Sequence, residues 1–499
     1  MTRRSGKRPG DAVTRQIRLL GLGLMVCFLI LFVQLNRLTI FEAQRLNDNP
    51  VNTRAILRDF SQPRGTVTTA DGVVIARSVP SKDRFQFQRE FPEADLFAHV
   101  SGFFSFTLGS SGVEKTYNDE LAGRTVDLSF QDLSDLFVDK DRVGNLTLTL
   151  RADLQRIARD QLGEREGSVV ALDPRTGEIL ALVSYPSYDP NSLADHDTAA
   201  AARVQTLLDA SPEKPRLARS YQDRYFPGST FKVVTATAGL DSGKVTVDEP
   251  RYPATDGYLA PGTTRPLRNF GGASCGGALF EILRISCNTA FAQMGVENGP
   301  DTMLGTAQAF GFNQDVPIDL TAPARSNFPT DFTQNLPALA QSGIGQNDVA
   351  ATPLQMAMVA GAVANDDGNV MVPHVLRDVR DIDGNIVDTY DPDVWTNAMG
   401  AGTAQIMRQA MIGVVESGTA TRLAVPGFVV GGKTGTAQLG TDPARSHAWI
   451  IGWGARPNEE ASIAVAVIVE GQPGASEQTG GRVAAPIAQA IIATYLAGP

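Results

Sequence analysis

The chain has 499 residues, 42% hydrophobic and 20% charged, with a formal net charge of −10 and a pI near 5.1. That length holds two or three domains around a large buried core, and the composition excludes a disordered or low-complexity chain. The acidic balance excludes a nucleic-acid binder, because no basic face survives beyond the N-terminus.

The basic residues are 36 Arg and 8 Lys. Arg is therefore the default surface charge, and a Lys marks a task closed to Arg, such as losing a proton near neutral pH when desolvated.

The first 18 residues carry Arg3, Arg4, Lys7, Arg8, Arg15 and Arg18 against Asp11 alone. The uncharged run Leu19 to Asn36 follows, and 18 residues at about 1.5 Å each span about 27 Å, close to a bilayer core. Gln34 to Leu38 offers no small-x-small cleavage site, which argues against a removed signal peptide. The basic flank argues against a buried soluble helix. These features predict a cytoplasmic tail at 1–18, a single signal-anchor helix at 19–36 and an extracytoplasmic remainder. Helical periodicity from Leu38 to Asn47 extends that helix.

Residues 37–151 read as a small β-rich pedestal. Short β-like runs such as Gly65 to Thr69, Val73 to Ala76 and Asn145 to Leu150 alternate with turns, and Asp71-Gly72 is a hairpin signal. The module has no nucleophile cluster, so it suits support or partner binding.

Residues 152–499 read differently. Ala152 to Leu162 is an amphipathic helix, and Ser168 to Leu172 and Glu178 to Ser184 are strands joined at Asp173 to Gly177. Phe428 to Val430 and Ile463 to Val469 are further strands, and Ala484 to Leu496 is a closing helix. The pattern predicts an α/β fold of the α+β type, with helices packed on a largely antiparallel sheet. With the chain stopping at Pro499, no appended C-terminal domain is expected.

Three strings in this region carry chemistry. Ser229-Thr230-Phe231-Lys232 follows Pro227-Gly228 and opens an apolar helical run, so Ser229 falls at a helix start and Lys232 on the same face. A desolvated amine there can act as general base for the hydroxyl. In Ser286-Cys287-Asn288, the Ser could shuttle a proton and the Asn could position Lys232 and a substrate amide. In Lys433-Thr434-Gly435-Thr436, which continues a strand, Lys433 and the Thr hydroxyls suit a substrate carboxylate and the bare Gly435 admits it.

Alone, the strings are an ordinary helix start, a cap and a β-turn. Together and in this order they read as a serine acyl-transfer site with Lys in place of His.

Ser211-Pro212-Glu213-Lys214 is a decoy, since Pro215 would break a helix there. His99, His196, His374 and His447 lie in no G-x-S-x-G or H-E-x-x-H context, so a Ser-His-Asp triad or zinc site has little support. His447 is expected to pack rather than border the cleft. Of the three Cys, Cys27 lies in the anchor. Cys275 and Cys287 either form a bridge, contributing ~2–3 kcal/mol, or remain as two buried thiols.

The sequence resembles the class B penicillin-binding proteins, membrane-anchored D,D-transpeptidases of bacterial cell-wall synthesis. Matching strings are Pro63 to Thr66, Gly112 to Glu114 with Tyr117, Leu146 to Leu150 with Leu154-Gln155, Asp173 to Ala181, Tyr225 to Lys232, Thr352 to Gln355 and Gly432 to Gln438. The resemblance implies a penicillin-binding/β-lactamase-like transpeptidase domain with Ser229, Lys232, Ser286, Asn288 and Lys433 as catalytic residues.

In that scheme Ser229 attacks a D-Ala-D-Ala carbonyl, Lys232 takes its proton, and the acyl group passes to a neighbouring stem amine. Thr434, Gly435 and Thr436 would bind substrate. Backbone N–H groups of Ser229 and Thr436 would form an oxyanion hole, typically worth roughly 3–4 kcal/mol. β-Lactams would acylate the same Ser229.

The resemblance further implies no cofactor or metal. The partners it implies are stem peptides, the lipid-linked precursor glycan and a membrane glycan polymerase of the SEDS type. A bifunctional class A enzyme would need more residues before the transpeptidase than the pedestal supplies. A D,D-carboxypeptidase or β-lactamase would use the same strings with water as acceptor, and a non-catalytic scaffold or β-lactam sensor is the remaining alternative.

Overall fold

The structure, a computed structural model, describes residues 10–37, 57, 59–125, 143–332, 335–441, 445–472 and 479–498. They divide into two units, Met1–Gln62 and Pro63–Pro499.

The first unit holds helix α1 (Gly10–Asn36). Its segment Arg15–Asn36 is long and apolar enough to cross a membrane. The large apolar side chains from Leu19 to Leu35 are all exposed, as lipid contact on every side requires. The expected extension over 38–47 lies outside the described residues.

In the second unit the chain forms β1 (Val67–Thr68), β2 (Val74–Pro80), β3 (Phe87–Glu90), β4 (Asn145–Leu148), α2 (Ala152–Leu162), β5 (Gly167–Leu172) and β6 (Ile179–Tyr185). Next come α3 (Lys232–Asp241), α4 (Asn288–Asn298), α5 (Pro353–Ala364), β7 (Leu376–Arg380), β8 (Ile386–Thr389) and α6 (Ala401–Ser417). The last elements are β9 (Val429–Gln438), β10 (Ser446–Ala455), β11 (Ala461–Val469) and α7 (Gly480–Ala497).

The first sheet has the order β8-β7-β4-β1-β2-β3. The Asp71-Gly72 turn joins β1 to β2, with Gly72 at φ 82°. Asp71 also caps α2, its carboxylate accepting from the N–H of Ala152 at 2.9 Å. This sheet draws β7 and β8 from far along the chain, with Leu376 opposite Leu148 on β4. Periodicity marks a strand but says nothing of its partner, so that pairing could not be read beforehand.

Two ion pairs lie beneath this sheet. Glu114 meets Arg89 at 2.6 Å and Arg64 at 3.1 Å, with no side chain more than 3% exposed. Tyr117 donates to Asp319 at 2.6 Å, and Asp319 accepts from the N–H groups of Val375 and Leu376. The family strings that contain Arg64, Glu114 and Tyr117 therefore have a physical content: they fasten this sheet to the rest of the unit.

The second sheet is antiparallel throughout, in the order β9-β10-β11-β5-β6. Helices α2 and α7 lie on one face and α5 on the other. Gly454 of β10 abuts Ile492 and Leu496 of α7, whereas Gly361 of α5 abuts Leu172 and Ala464. Every residue of β10 is buried. Covered on both faces, that strand shows no polar alternation, which is why the sequence did not mark it.

Replacing Glu114 by Ala strands two buried guanidinium groups. It should cost about 3–5 kcal/mol in urea unfolding of the full chain in detergent. Breaking the exposed Arg77–Glu90 pair with Arg77→Ala should cost less than about 1 kcal/mol.

Candidate active site

Ser229 stands in a 3-10 turn, Gly228–Phe231, that runs directly into α3. Gly228 has φ 53°, and a Cβ there would come within 2.9 Å of the Thr436 carbonyl oxygen. Only glycine lets the turn sit this close to β9. Phe231 holds the turn from below, stacked on Phe328 at 5.5 Å and edge-on to Phe312 at 5.4 Å. Among the described residues no hydrogen bond restrains the half-buried Ser229 hydroxyl, so it is free to rotate toward a reacting carbonyl.

Helix Leu279–Arg284 ends just before Ser286, which adopts φ 60°, a conformation unusual for a non-glycine residue. The reversal turns both its carbonyl and its hydroxyl toward Lys232. The Lys232 amine donates to Ser286 O at 2.7 Å and Asn288 Oδ1 at 2.7 Å, and lies 3.2 Å from Ser286 Oγ. Lys433 donates to the same Oγ at 2.8 Å and to Thr434 O at 2.9 Å.

One hydroxyl thus lies between two amines, and both lysines are fully buried. Burial drives Lys232 well below its ordinary pKa, and the neighbouring Lys433 charge drives it further. Burial alone lowers Lys433 to about 7. The arrangement favours a neutral Lys232 beside a charged Lys433. The two 2.7 Å bonds use both protons of a neutral Lys232 amine and leave its lone pair for an incoming proton.

Strand β9 is the sheet edge. Leu439 N donates to Arg445 O at 3.0 Å. Counting back by twos in an antiparallel ladder turns the N–H and C=O groups of Thr436 and Thr434 away from β10. The Ser229 N–H, in the first turn of its helix, has no intrahelical acceptor. Both N–H groups are therefore unclaimed by the secondary structure that carries them. Thr434 shares a hydrogen bond with Thr419, Oγ1 to Oγ1 at 2.6 Å.

The sequence suggested that the bare backbone of Gly435 admits a carboxylate, yet Gly435 is buried. A Cβ there would meet Pro227 O at 2.8 Å, with Thr230 Cγ2 and Trp449 Cβ both at 2.9 Å. The missing side chain admits the Ser229 turn against β9.

Cys275 and Cys287 are joined as a disulfide, which ties strand Cys275–Gly277 to the loop carrying Ser286 and Asn288. Ser229, Ser286, Asn288, Thr434 and Thr436 line a single cleft of about 950 Å³. The charged side chains lining it are Arg265, Arg268, Arg422 and Arg482, with no Asp or Glu among the described lining residues. In a chain of net charge −10, that lining selects for an anion. Lys232 and Lys433 lie behind the cleft surface.

Ser211 to Lys214 forms a loop after helix Thr198–Ala210, away from the cleft. His447 packs, its Nδ1 accepting from Gly471 N at 3.1 Å and its ring edge-on to Tyr225. The sequence does not mark Thr419, which lines the cleft, or Trp449, which packs against Gly435 and bonds to Phe226 O. Neither lies in a motif, and only tertiary contact gives them a role.

Two family descriptions match: penicillin binding protein transpeptidase domain over residues 167–493 and penicillin binding protein A dimerisation domain over 64–146. Peptidoglycan D,D-transpeptidase PbpA of Mycolicibacterium smegmatis is 38% identical over 496 residues, covering 96% of this chain and 98% of the relative. Peptidoglycan D,D-transpeptidase MrdA of Acinetobacter baumannii is 32% identical, covering 77% of this chain and 63% of the relative. Among solved structures, penicillin-binding protein A from M. tuberculosis as a ceftriaxone acyl-enzyme complex superposes with a TM-score of 0.80 at 36% identity. The match covers 87% of this chain and 99% of that one.

Since Gly435 is bare for packing, Gly435→Ala should destabilise the chain by about 1–3 kcal/mol and lower its Tm. A role confined to admitting a carboxylate would leave Tm unchanged.

Proposed function

The chain belongs to the penicillin-binding protein transpeptidase family, and from that premise we propose that it is a membrane-anchored peptidoglycan D,D-transpeptidase acting through a Ser229 acyl-enzyme. Within the family it resembles penicillin-binding protein A of actinobacteria, by its short pedestal, its single anchor and its near full-length mycobacterial relatives. The observation that carries the mechanism is the Ser286 hydroxyl between one lysine poised to be neutral and another poised to be charged.

The Ser229 hydroxyl attacks the carbonyl of a terminal D-Ala-D-Ala bond, and the Lys232 lone pair takes its proton. The oxyanion forms between the N–H groups of Ser229 and Thr436. The proton then passes by way of Ser286 to the departing D-Ala amine, leaving an ester on Ser229. A neighbouring stem amine attacks that ester, Lys232 accepts the amine proton and delivers it to the departing Ser229 oxygen, and the Ser229 hydroxyl is regenerated as the cross-link forms. The terminal carboxylate binds at Thr434 and Thr436, with the Lys433 charge behind them, while Asn288 holds Lys232 and a substrate amide. A β-lactam follows the first half of this path and stays on Ser229.

Residues 1–18 form the cytoplasmic tail, 19–36 the anchor, 37–151 the pedestal and 152–499 the transpeptidase domain. The N-terminus lies inside and the cleft outside, facing its lipid-linked precursor and glycan. The pedestal and anchor contact a membrane glycan polymerase of the SEDS type. The dimerisation-domain match over 64–146 supports a partner-binding pedestal. Hydrolysis to water is the competing reading. A stem-peptide thioester offered with a D-amino acid should give the aminolysis product, and hydrolysis alone would overturn transpeptidation.

Fluorescent penicillin should label the full chain and Ser211→Ala but not Ser229→Ala, and Lys232→Ala should slow labelling by roughly 10²–10⁴-fold. A neutral Lys232 is needed, so acylation rises with pH as that group deprotonates. A charged Lys433 is needed, so acylation falls again near pH 7, where that group titrates. Lys433→Arg should abolish the falling limb in stopped-flow measurements, because Arg keeps its charge.

A further inference from the structure

Outside the cleft, one cluster of charged and phenolic groups reaches back to the nucleophile. Glu470 directly follows β11. Its Oε1 accepts from the Tyr225 hydroxyl at 2.8 Å and from Arg219 Nε at 2.9 Å. Tyr225 and Arg219 are 6% and 5% exposed, and none of the three lines the cleft. The other Arg219 nitrogens donate to the carbonyls of Glu213 at 2.6 Å and Lys214 at 3.3 Å. The decoy string rejected as a catalytic motif thus holds the arginine that supports Glu470. Hydrogen bonds to a carboxylate are among the stronger kinds, and here both donors converge on one oxygen.

Tyr225 begins the segment that ends at Ser229. Its backbone pairs with Ala351 in both directions, at 3.0 and 2.9 Å. The next residue, Phe226, accepts on its carbonyl from Trp449 Nε1 of β10 at 3.1 Å. The turn is therefore attached to the five-stranded sheet at Trp449 and at Glu470, and β9 of that same sheet carries Thr436. Attachments at these two points, together with the Gly228 N–H bond to Gly345 O at 2.9 Å, set how far the Ser229 N–H stands from the Thr436 N–H. Loosening one of them displaces half of the proposed oxyanion hole and leaves the Thr434 and Thr436 hydroxyls in place.

We propose that Glu470, braced by Arg219, is a positioning residue that acts through the Tyr225 hydroxyl to fix the nucleophile turn against the sheet. Its substitution therefore slows acylation and spares binding. The inference rests on Ser229 as the acylated residue and adds a distant determinant of the oxyanion geometry.

The test is stopped-flow acylation of the full chain in detergent by a chromogenic penicillin, resolving the noncovalent dissociation constant from the first-order acylation constant, with the adduct mapped by mass spectrometry. In Tyr225→Phe, which removes one hydroxyl and keeps the ring, the adduct should map to Ser229. Its first-order constant should fall about tenfold, as expected of a misplaced reacting group, with the dissociation constant unchanged. Glu470→Gln, which keeps an acceptor at the same reach, should retain more of the rate than Glu470→Ala. A wild-type acylation constant in folded Tyr225→Phe, whatever its Tm, would reduce the contact to a structural one and overturn the proposal. So would a loss confined to the dissociation constant. An adduct away from Ser229 in the unsubstituted chain would instead overturn the function on which the proposal stands.

Discussion

Two lysine amines compete for the same buried space, and much of the site follows from that conflict. Lys232 and Lys433 both have 0% exposure and both contact the Ser286 hydroxyl. Taking one ammonium out of water is costly, and taking two into one pocket is worse by their mutual repulsion. Burial and that repulsion both push Lys232 toward its neutral form, the form that the proposed base requires. The chain uses Arg for most of its positive charge but has Lys at both of these buried positions.

Holding that geometry requires parts from separate regions of the chain. The Ser286 reversal, the 3-10 turn at Ser229 and the edge strand β9 must meet within a few tenths of an ångström. Glycines make the approach of the last two feasible: Gly228 and Gly435 face each other's elements with no room for a methyl group. Tight packing of this kind also explains why the edge strand is free on its cleft side. Of its outward groups, the Thr434 carbonyl accepts from Lys433, and the Thr436 N–H faces the cleft for a substrate backbone.

The local chemistry was largely legible in the sequence. Helix α2, strands β5 and β6, the Asp71-Gly72 hairpin and the three short strings could be read from periodicity and turn residues, because those signals are contained in a few neighbouring residues. What escaped depends on long-range partners. Strand β10 hid in a run with no polar face, and the pairing of β4 with β7 has no local signature. Gly435 was assigned to ligand access when it serves packing, since a bare backbone in a strand has the same sequence whichever neighbour comes close. The Cys275–Cys287 bridge stayed undecided for the same reason.

The way the first sheet is completed has a consequence for how the chain comes together. Thr147 of β4 bonds to Asp378, 231 residues later. Synthesis proceeds from the N-terminus, so β1 to β4 emerge long before the strand that covers their open edge. Until β7 arrives, β4 offers unpaired N–H and C=O groups to any other extended segment. High contact order of this kind slows folding, because a long loop must close before its contacts stabilise anything. The sheet of the N-terminal module is thus completed only by strands from the last third of the polypeptide.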